Sequence, residues 1–226
     1  MHSSTPKPSQ RSLAKPCVLL TGFDAFGGAS VNPSWLAVQA LNGEEVIGHT
    51  LVAAKLPTTF EGSSQALAKL LKLHRPILVI CVGQAGGRSA LSIERIAINI
   101  NDARIADNAG ERPLDTPVVP GGPAAYFSTL PIKAMLRALQ QADVAAEVSQ
   151  TAGTFVCNHV FYGLMHALAS QRGFKQTRGG FIHVPYVPDQ GMPNMPLPEM
   201  VQGLRMAVVC ALNTTVDIAQ SAGAIS

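Results

Sequence analysis

A short, continuous apolar run, ILVICV at residues 77–82, constrains the fold of this chain more than any other feature. A run of this length, bounded by proline and glycine, is typical of a strand that is buried on both faces of a sheet. CVLLTG at residues 17–22 has the same character, and residues 45–53 are predicted to form another strand. Buried strands of this kind occur in parallel sheets that helices cover on both sides.

Segments with the 3.6-residue periodicity of helices alternate with these runs. Helices are predicted to begin at Pro33 (with Asn32 as N-cap), at Thr58 or Thr59, at Pro131, near Cys157 and at Pro198, and a late strand is predicted at residues 180–184. Residues 91–100 instead alternate with a period of two, and residues 108–122 are predicted to form a long surface loop that could cover the site. The pattern predicts an α/β fold: a single-domain, three-layer α/β/α sandwich around a largely parallel, twisted sheet.

Composition limits the partners that the chain can have. Hydrophobic residues make up 47% and charged residues 14% of the 226 residues, which is typical of a globular domain. A net charge of +3 without a basic run gives no reason to expect a nucleic-acid partner, and no apolar run is long enough to span a membrane. The polar, proline-containing start lacks the apolar centre of a secretory signal. We therefore expect a flexible tail at residues 1–15 and a single domain at residues 16–226.

The four cysteines, Cys17, Cys81, Cys157 and Cys210, are far apart in the sequence, and none belongs to a C-x-x-C pair. Three of them lie within apolar runs, as buried free thiols do. This usage favours a reducing cytoplasm over a disulfide framework or a zinc site. We therefore expect a cytoplasmic protein that binds no metal.

Cys157 lies where a predicted strand, closing at residues 147–149, gives way to a helix, with turn residues at 151–154 between them. A thiol at a helix N-terminus faces unpaired backbone N–H groups and the positive end of the helix dipole. Both favour the thiolate, which is the nucleophile. The alternative is that Cys157 is a small buried hydrophobic residue, as most free cysteines are. This segment alone leaves both interpretations open.

A nucleophilic cysteine requires a base, and the chain contains six histidines. His159 is close to Cys157 in the sequence, but two helical residues subtend about 200°, so the two side chains should diverge. His166 shares the helix face of His159, and three further histidines lie in the tail or in surface contexts. His183, at the end of a predicted strand, is therefore the candidate base, because catalytic pairs are neighbours in space and not in sequence.

Glu94 lies in the segment of period two and is predicted to share a strand face with isoleucines, so it should be partly buried and require a partner. One interpretation is an ion pair with an arginine such as Arg88 or Arg104, and another is an exposed, solvated carboxylate. The functional interpretation is that Glu94 accepts a hydrogen bond from His183. Such a bond fixes the imidazole tautomer and supports the imidazolium.

Five blocks, in order, resemble segments of the pyroglutamyl peptidases, which are also called pyrrolidone carboxyl peptidases. SQTAGTFVCN around Cys157 resembles the cysteine signature of that family, and GQAGGRSALSIERIAIN at residues 83–99 resembles its glutamate signature. The other blocks are GFDAFGG at residues 22–28, NPS at 32–34 and GFIHVPYVPDQ at 180–190. Ala25 is the clearest departure, because the family usually has proline there, but the change removes no chemical group.

The resemblance implies a cysteine exopeptidase that hydrolyses the bond after an N-terminal pyroglutamyl (5-oxoprolyl) residue of peptides. The reaction would pass through an acyl-enzyme, with no metal or organic cofactor. By resemblance, Cys157 is the nucleophile, His183 the base and Glu94 the residue that orients the base. The family often forms tetramers, so a homotetramer is expected.

The rest of the site should recognise a flat, neutral lactam ring, which suits apolar walls and a few hydrogen-bonding groups. The resemblance points to six substrate-binding residues: Phe23, Phe26, Asn32, Gln84, Phe155 and Val156. The backbone N–H of Cys157 is expected to bind the oxyanion, with Arg104 as a weaker candidate. Without the resemblance, the phenylalanines would be interpreted as core residues and Gln84 as a turn residue.

Two other interpretations remain open. GFDAFGG or GQAGGR could be the anion-binding loop of a nucleoside- or phosphate-binding α/β enzyme, although neither fits G-x-x-x-x-G-K-[ST] or G-x-G-x-x-G. The chain could also be a catalytically inactive relative that serves as an interaction module. The presence of Cys157, His183 and Glu94 argues against an inactive relative. Tight binding of a nucleotide would support the nucleoside- or phosphate-binding enzyme.

Overall fold

The computed structural model describes residues 15–223, so nearly all of the tail predicted at residues 1–15 lies outside the described residues, as do residues 224–226. In chain order the strands and helices are β1 (Cys17–Phe23), α1 (Pro33–Ala40), β2 (Glu45–Val46), β3 (His49–Leu56), α2 (Phe60–His74), β4 (Leu78–Gln84), β5 (Leu91–Glu94), β6 (Ile96–Ile98), β7 (Ala125–Phe127), α3 (Ile132–Gln141), β8 (Ala146–Ser149), α4 (Val156–Ser170), β9 (Arg178–Val184) and α5 (Leu197–Asn213). No helix between residues 15 and 223 is long and apolar enough to cross a membrane.

Seven strands form the central sheet in the order β2-β3-β1-β4-β9-β5-β8. Neighbouring strands pair in parallel except at two places, where β2 meets β3 and where β5 meets β9. The short strands β6 and β7 pair antiparallel in a separate sheet. The predicted α/β fold with a largely parallel sheet is confirmed.

Two hydrophobic clusters cover the two faces of the sheet. Alternate residues of β1 divide between them: Val18 and Leu20 pack with α1, α3 and α5, whereas Leu19 and Phe23 pack with α2 and α4. Successive side chains of a strand point to opposite faces, so a wholly apolar strand requires helices on both sides. The result is the predicted three-layer sandwich, in which α2 and α4 share one layer.

The strand predicted at residues 45–53 is wrong, because the chain forms a hairpin there. Strands β2 and β3 are joined by Ile47 and Gly48, whose φ angles are 48° and 73°. Two successive residues with positive φ are characteristic of the tight two-residue turn that suits the twist of a hairpin. Gly48 was the local signal of this turn.

The segment of period two at residues 91–100 is also divided, since β5 ends at Glu94 and β6 begins at Ile96 in the other sheet. Beyond the break, β6 pairs with β7, and the Asn158 side chain of α4 also bonds the backbone of Ile98. Its Oδ1 accepts from Ile98 N at 3.0 Å, and its Nδ2 donates to Ile98 O at 2.9 Å. The prediction that Glu94 shares a continuous strand face with the later isoleucines is therefore wrong.

The predicted surface loop, residues 108–122, contains no helix or strand. Its first residue ties it to the glycine-rich loop after β1, because Asn108 Nδ2 donates to Ala25 O at 2.8 Å and Asn108 N donates to Thr58 O at 3.0 Å. Ala25 thus keeps a backbone contact at the position where the family usually has proline. The expectation that this loop covers the site stays a prediction.

Candidate active site

Cys157 occupies the start of α4, as predicted. Strand β8 ends at Ser149, a loop follows, and the helix begins at Val156 with Phe155 as its N-cap residue. Phe155 offers no side-chain acceptor to the first turn of the helix. Backbone N–H groups at this end are therefore not occupied by a capping side chain.

Glu94 and His183 lie on the sheet face that α4 covers. In β9, Phe181 packs with α4 whereas Ile182 and Val184 pack on the opposite face, so His183 shares the face of Phe181. In β5, Leu91 and Ile93 pack on the opposite face in the same way, which leaves Glu94 on the α4 side. Strand alternation thus directs both side chains towards the helix that carries Cys157.

Gly83 connects the thiol with this strand pair. It is the register partner of His183 where β4 and β9 pair. A Cβ atom added at Gly83 would lie 2.8 Å from Cys157 Sγ and 2.8 Å from Phe181 Cζ. The thiol is therefore packed against bare backbone beside His183, in space that a side chain at position 83 would occupy.

His183 and Glu94 form a buried hydrogen-bonded pair. Nδ1 of His183 lies 2.7 Å from Oε1 of Glu94, and the two side chains are 4% and 0% exposed. Because an ionised carboxylate only accepts hydrogen bonds, Nδ1 must be the protonated nitrogen of the ring. The other nitrogen, Nε2, is then free to accept a proton.

Arg88 contacts the same carboxylate oxygen. Its Nη1 donates to Glu94 Oε1 at 2.8 Å, and its Nη2 donates to Thr151 O at 3.2 Å in the loop before α4. Glu94 Oε2 has no hydrogen-bond partner among the described residues. The ion pair with Arg88 and the hydrogen bond with His183, which the sequence analysis gave as alternative interpretations of Glu94, therefore occur together.

Burial, together with the negative charge of Glu94, raises the pKa of the Cys157 thiol to about 12, while the positive charge of Arg88 acts in the opposite direction. The thiol is therefore protonated at neutral pH in the free protein. The helix start is predicted to favour the thiolate, whereas the loss of solvation acts in the opposite direction. A neighbouring base must remove the proton for the sulfur to act as a nucleophile.

His159 points away from this group, as its helical spacing predicted. Its Nδ1 lies 3.0 Å from Asn101 Oδ1 and its Nε2 lies 2.7 Å from Ser64 Oγ. Burial lowers the pKa of His159 to about 4, so the ring is neutral at physiological pH. His166, on the same side of α4, contacts the Tyr126 hydroxyl at 3.0 Å.

Two predicted substrate-binding residues, Phe26 and Gln84, line a cleft of about 540 Å³. Gln84 Oε1 accepts from Gln190 Nε2 at 3.2 Å, which leaves the amide NH₂ group of Gln84 as a donor. The Phe26 ring lies 6.2 Å from that of Phe155, centroid to centroid. The geometry thus combines an aromatic wall with an amide held by a second amide.

Phe155 lines an adjoining cleft of about 310 Å³ together with Arg104, which is exposed. Ile105 lines both clefts. The structure therefore places Arg104 in the adjoining cleft. Its assignment as an oxyanion donor stays a prediction.

Three other predicted pocket residues do not line the larger cleft. Phe23 and Val156 are buried in the core, with 2% and 0% exposure. Both polar atoms of the Asn32 side chain are engaged: Oδ1 accepts from Ser34 N at 3.1 Å, and Nδ2 donates to Asp24 O at 2.9 Å. Asn32 caps α1 and holds the glycine-rich loop, and its role in binding the substrate stays a prediction.

Among known protein families, a family model described as pyroglutamyl peptidase matches residues 16–214 of the chain. The chain belongs to the pyroglutamyl peptidase family. The pyrrolidone-carboxylate peptidase of Cupriavidus taiwanensis is 56% identical over 213 residues, which are 92% of this chain and 98% of the relative. That of Bacillus cereus is 48% identical over 212 residues, with the same coverage of 92% and 98%.

Solved structures of pyroglutamyl peptidases have the same fold. Pyroglutamyl peptidase I from Bacillus amyloliquefaciens is 45% identical with a TM-score of 0.89, and the match covers 92% of this chain and 100% of that one. A mutant pyrrolidone carboxyl peptidase from the hyperthermophile Pyrococcus furiosus is 40% identical with a TM-score of 0.83, over 87% and 98% of the two chains. As a family member, the chain is a cysteine-type omega peptidase.

Sequence reasoning missed several residues at this candidate site. Gly83 was interpreted only as the glycine that bounds the apolar run at residues 77–82, although it lies within β4 and packs against the thiol. Ile105, Tyr186 and Gln190, which line the larger cleft, were not singled out. Tyr186 and Gln190 belong to the block GFIHVPYVPDQ, so their position in that block was an available signal.

The contact at Gly83 gives a first prediction. Gly83→Ala should lower kcat by about 100-fold, because the new Cβ would displace the Cys157 thiol or the Phe181 ring by a fraction of an ångström or more. Gly173→Ala is a matched control, since a Cβ there would meet nothing within 4 Å. Steady-state kinetics of the two variants tests this placement, and an unchanged kcat for Gly83→Ala would contradict it.

Proposed function

We propose that this chain is an exopeptidase that removes an N-terminal pyroglutamyl residue from peptides, with Cys157 as nucleophile, His183 as base and Glu94 as the residue that orients the base. The observation that supports this proposal most directly is the hydrogen bond of 2.7 Å between His183 Nδ1 and Glu94 Oε1. It lies on the sheet face that is covered by α4, the helix that carries Cys157. The names of the relatives, pyrrolidone-carboxylate peptidase, support the choice of substrate.

The first half of the reaction acylates the enzyme. The Cys157 sulfur attacks the carbonyl carbon that joins pyroglutamate to the next residue, and His183 Nε2 takes the thiol proton. Because the pKa of the thiol is raised to about 12, proton transfer must accompany the attack. The imidazolium then donates this proton to the leaving amine, the C–N bond breaks, and a thioester remains on Cys157.

The second half of the reaction releases pyroglutamate. His183 takes a proton from water, the hydroxide oxygen attacks the thioester carbon, and the C–S bond breaks as the proton returns to the sulfur. Glu94 stabilises the imidazolium in both halves, since its buried carboxylate lies within hydrogen-bonding distance of the ring. No metal or organic cofactor is required for these steps.

Recognition is proposed to involve the lactam ring of the substrate. Phe26 and Phe155 offer flat apolar surfaces, and the amide NH₂ group of Gln84 offers a donor to the ring carbonyl. Phe23 and Val156, which are both buried, are retained as candidate contributors to the substrate site. Arg104 is retained as a candidate donor to the oxyanion, beside the backbone N–H of Cys157.

The cellular setting and assembly are proposals as well. The four free cysteines support a reducing cytoplasm. Residues 16–226 are proposed to form one domain, since the family match at residues 16–214 is continuous. A homotetramer is proposed from the family resemblance alone, and light scattering of the purified protein tests it.

Substrate discrimination tests the proposed function. We expect kcat/KM for a chromogenic pyroglutamyl amide to exceed that for the prolyl amide by about 1000-fold or more, because proline has the same ring size but no ring carbonyl, and pocket donors would be left unpaired. The glutamyl amide, which lacks the ring, is the second comparison. Comparable values for pyroglutamyl and prolyl amides would exclude a lactam pocket.

A matched pair of variants locates the recognition. Gln84→Ala should lower kcat/KM for the pyroglutamyl amide while Cys157 remains open to alkylation. Gln202→Ala, an exposed residue on α5, is the control and should leave kcat/KM unchanged. Equal values for the two variants would remove Gln84 from the recognition site.

A further inference from the structure

The charge around Glu94 is balanced by Arg88. Glu94 is completely buried, and an ionised carboxylate without solvent requires a positive neighbour. Arg88 and His183 both donate to its Oε1, at 2.8 and 2.7 Å. Of these two donors only Arg88 is always charged, since a guanidinium does not lose its proton in proteins.

This balance decides whether His183 is available as a base. If Glu94 faced His183 alone, the buried pair would be most stable with one proton added, as an imidazolium beside a carboxylate. The ring would then already hold the proton that it must accept from Cys157. With Arg88 in place, the carboxylate is balanced while the ring is neutral.

We propose that Arg88 is a positioning residue of this active site, the counter-ion that keeps Glu94 ionised while His183 stays neutral and able to accept the thiol proton. The inference rests on the roles proposed above for Cys157 and His183. It concerns the charge state of the free enzyme, before any substrate binds.

The second contact of Arg88 joins this ion pair to the loop that leads to Cys157. Its Nη2 donates to Thr151 O, which also accepts from Ser149 Oγ at 3.0 Å, within the loop between β8 and α4. The positive charge of Arg88 also lowers the pKa of the Cys157 thiol, against the effect of Glu94. The Arg88 guanidinium thus contacts both the Glu94 carboxylate and the loop that precedes α4, the helix that carries Cys157.

The titratable groups that face this cluster come from four parts of the fold. They are Arg88 in the loop after β4, Cys81 on β4, Cys157 on α4 and His183 on β9. Burial raises the pKa of Cys81 and of Cys157 to about 12, so both thiols are neutral at physiological pH. Arg88 is the fixed positive charge in this set.

The test removes the charge of Arg88 and follows the pH dependence. In Arg88→Met the Glu94–His183 pair should take up a proton at a higher pH, whichever of the two groups holds it. We expect the acid limb of kcat/KM for a pyroglutamyl amide to move upward by about one pH unit. Arg88→Lys restores the charge without the forked geometry and should move the limb less. Should Arg88→Met not fold, Arg88→Gln takes its place.

A second measurement needs no substrate. In the Cys157→Ala background, the titration of the His183 ring, followed by NMR, should also move upward when Arg88 becomes methionine. If this titration moves while pyroglutamyl amides are not hydrolysed, the proposed function fails and the role of Arg88 stands. If the amides are hydrolysed but neither titration nor acid limb moves, the role of Arg88 is overturned.

Arg95→Met is the matched control. Arg95 follows Glu94 in the sequence and ties the same region to its surroundings, donating to Gln150 Oε1 at 2.8 Å and to Ala222 O at 3.3 Å. Its loss should leave the acid limb in place. A uniform fall of kcat/KM at every pH in Arg88→Met, without a shift of the limb, would reduce Arg88 to a loop tether and overturn the proposal.

Discussion

Cys157→Ala should abolish hydrolysis of pyroglutamyl amides, lowering kcat by roughly 10⁵-fold or more, the scale found when a nucleophile is removed from a catalytic triad. The protein should still fold, since Cys157 is a half-buried residue and its change to alanine removes a single sulfur atom and leaves little cavity. Steady-state kinetics and thermal unfolding of the variant measure the two effects separately. Residual kcat within tenfold of the parent enzyme would exclude Cys157 as nucleophile.

Alkylation provides the control within the same chain, because the other three cysteines serve as internal comparisons. Cys81 is fully buried, and Cys17 and Cys210 are partly buried with pKa values that burial raises. Limiting iodoacetamide followed by peptide mapping should show activity lost in step with modification of Cys157 alone. Loss of activity in step with another thiol would remove the assignment.

His183→Ala should lower kcat almost as far as Cys157→Ala does, whereas Glu94→Gln should lower it less, by about 10²- to 10⁴-fold. Alanine removes the base altogether. Glutamine can still hold the ring at Nδ1 but cannot stabilise the imidazolium by charge. Because the Cys157 thiol is protonated in the free protein, His183→Ala should also slow its alkylation at neutral pH.

His74→Ala is the matched control for the histidine variant, since His74 is partly exposed at the end of α2, outside the triad. It should retain the kcat of the parent enzyme. Full turnover of Glu94→Gln across the pH range would return Glu94 to the role of a structural ion-pair partner for Arg88. Full turnover of His183→Ala would require another base.

The fold class followed from local patterns because the central strands and the helices that cover them satisfy local rules. All but the first residue of the run at residues 77–82 lies in β4. Helix α1 begins at Pro33 with Asn32 as its N-cap, as predicted. The two errors arose where local patterns are ambiguous. Residues 45–53 contain a turn at Ile47 and Gly48, and a period of two does not distinguish one strand from the two on either side of Arg95.

The sequence by itself determined which residues are proposed to carry the chemistry, since the motif blocks named Cys157, Glu94 and His183, and the structure places all three around one sheet face. Only the tertiary structure decided what these residues contact. His183 and Glu94 are 89 positions apart, and their contact depends on the strand order that places β5 antiparallel beside β9. It also decided that Arg88 shares this carboxylate, at 2.8 Å, and that the pKa of the Cys157 thiol is raised. The pKa is raised because of burial, which is a property of the packed chain and not of any segment of it.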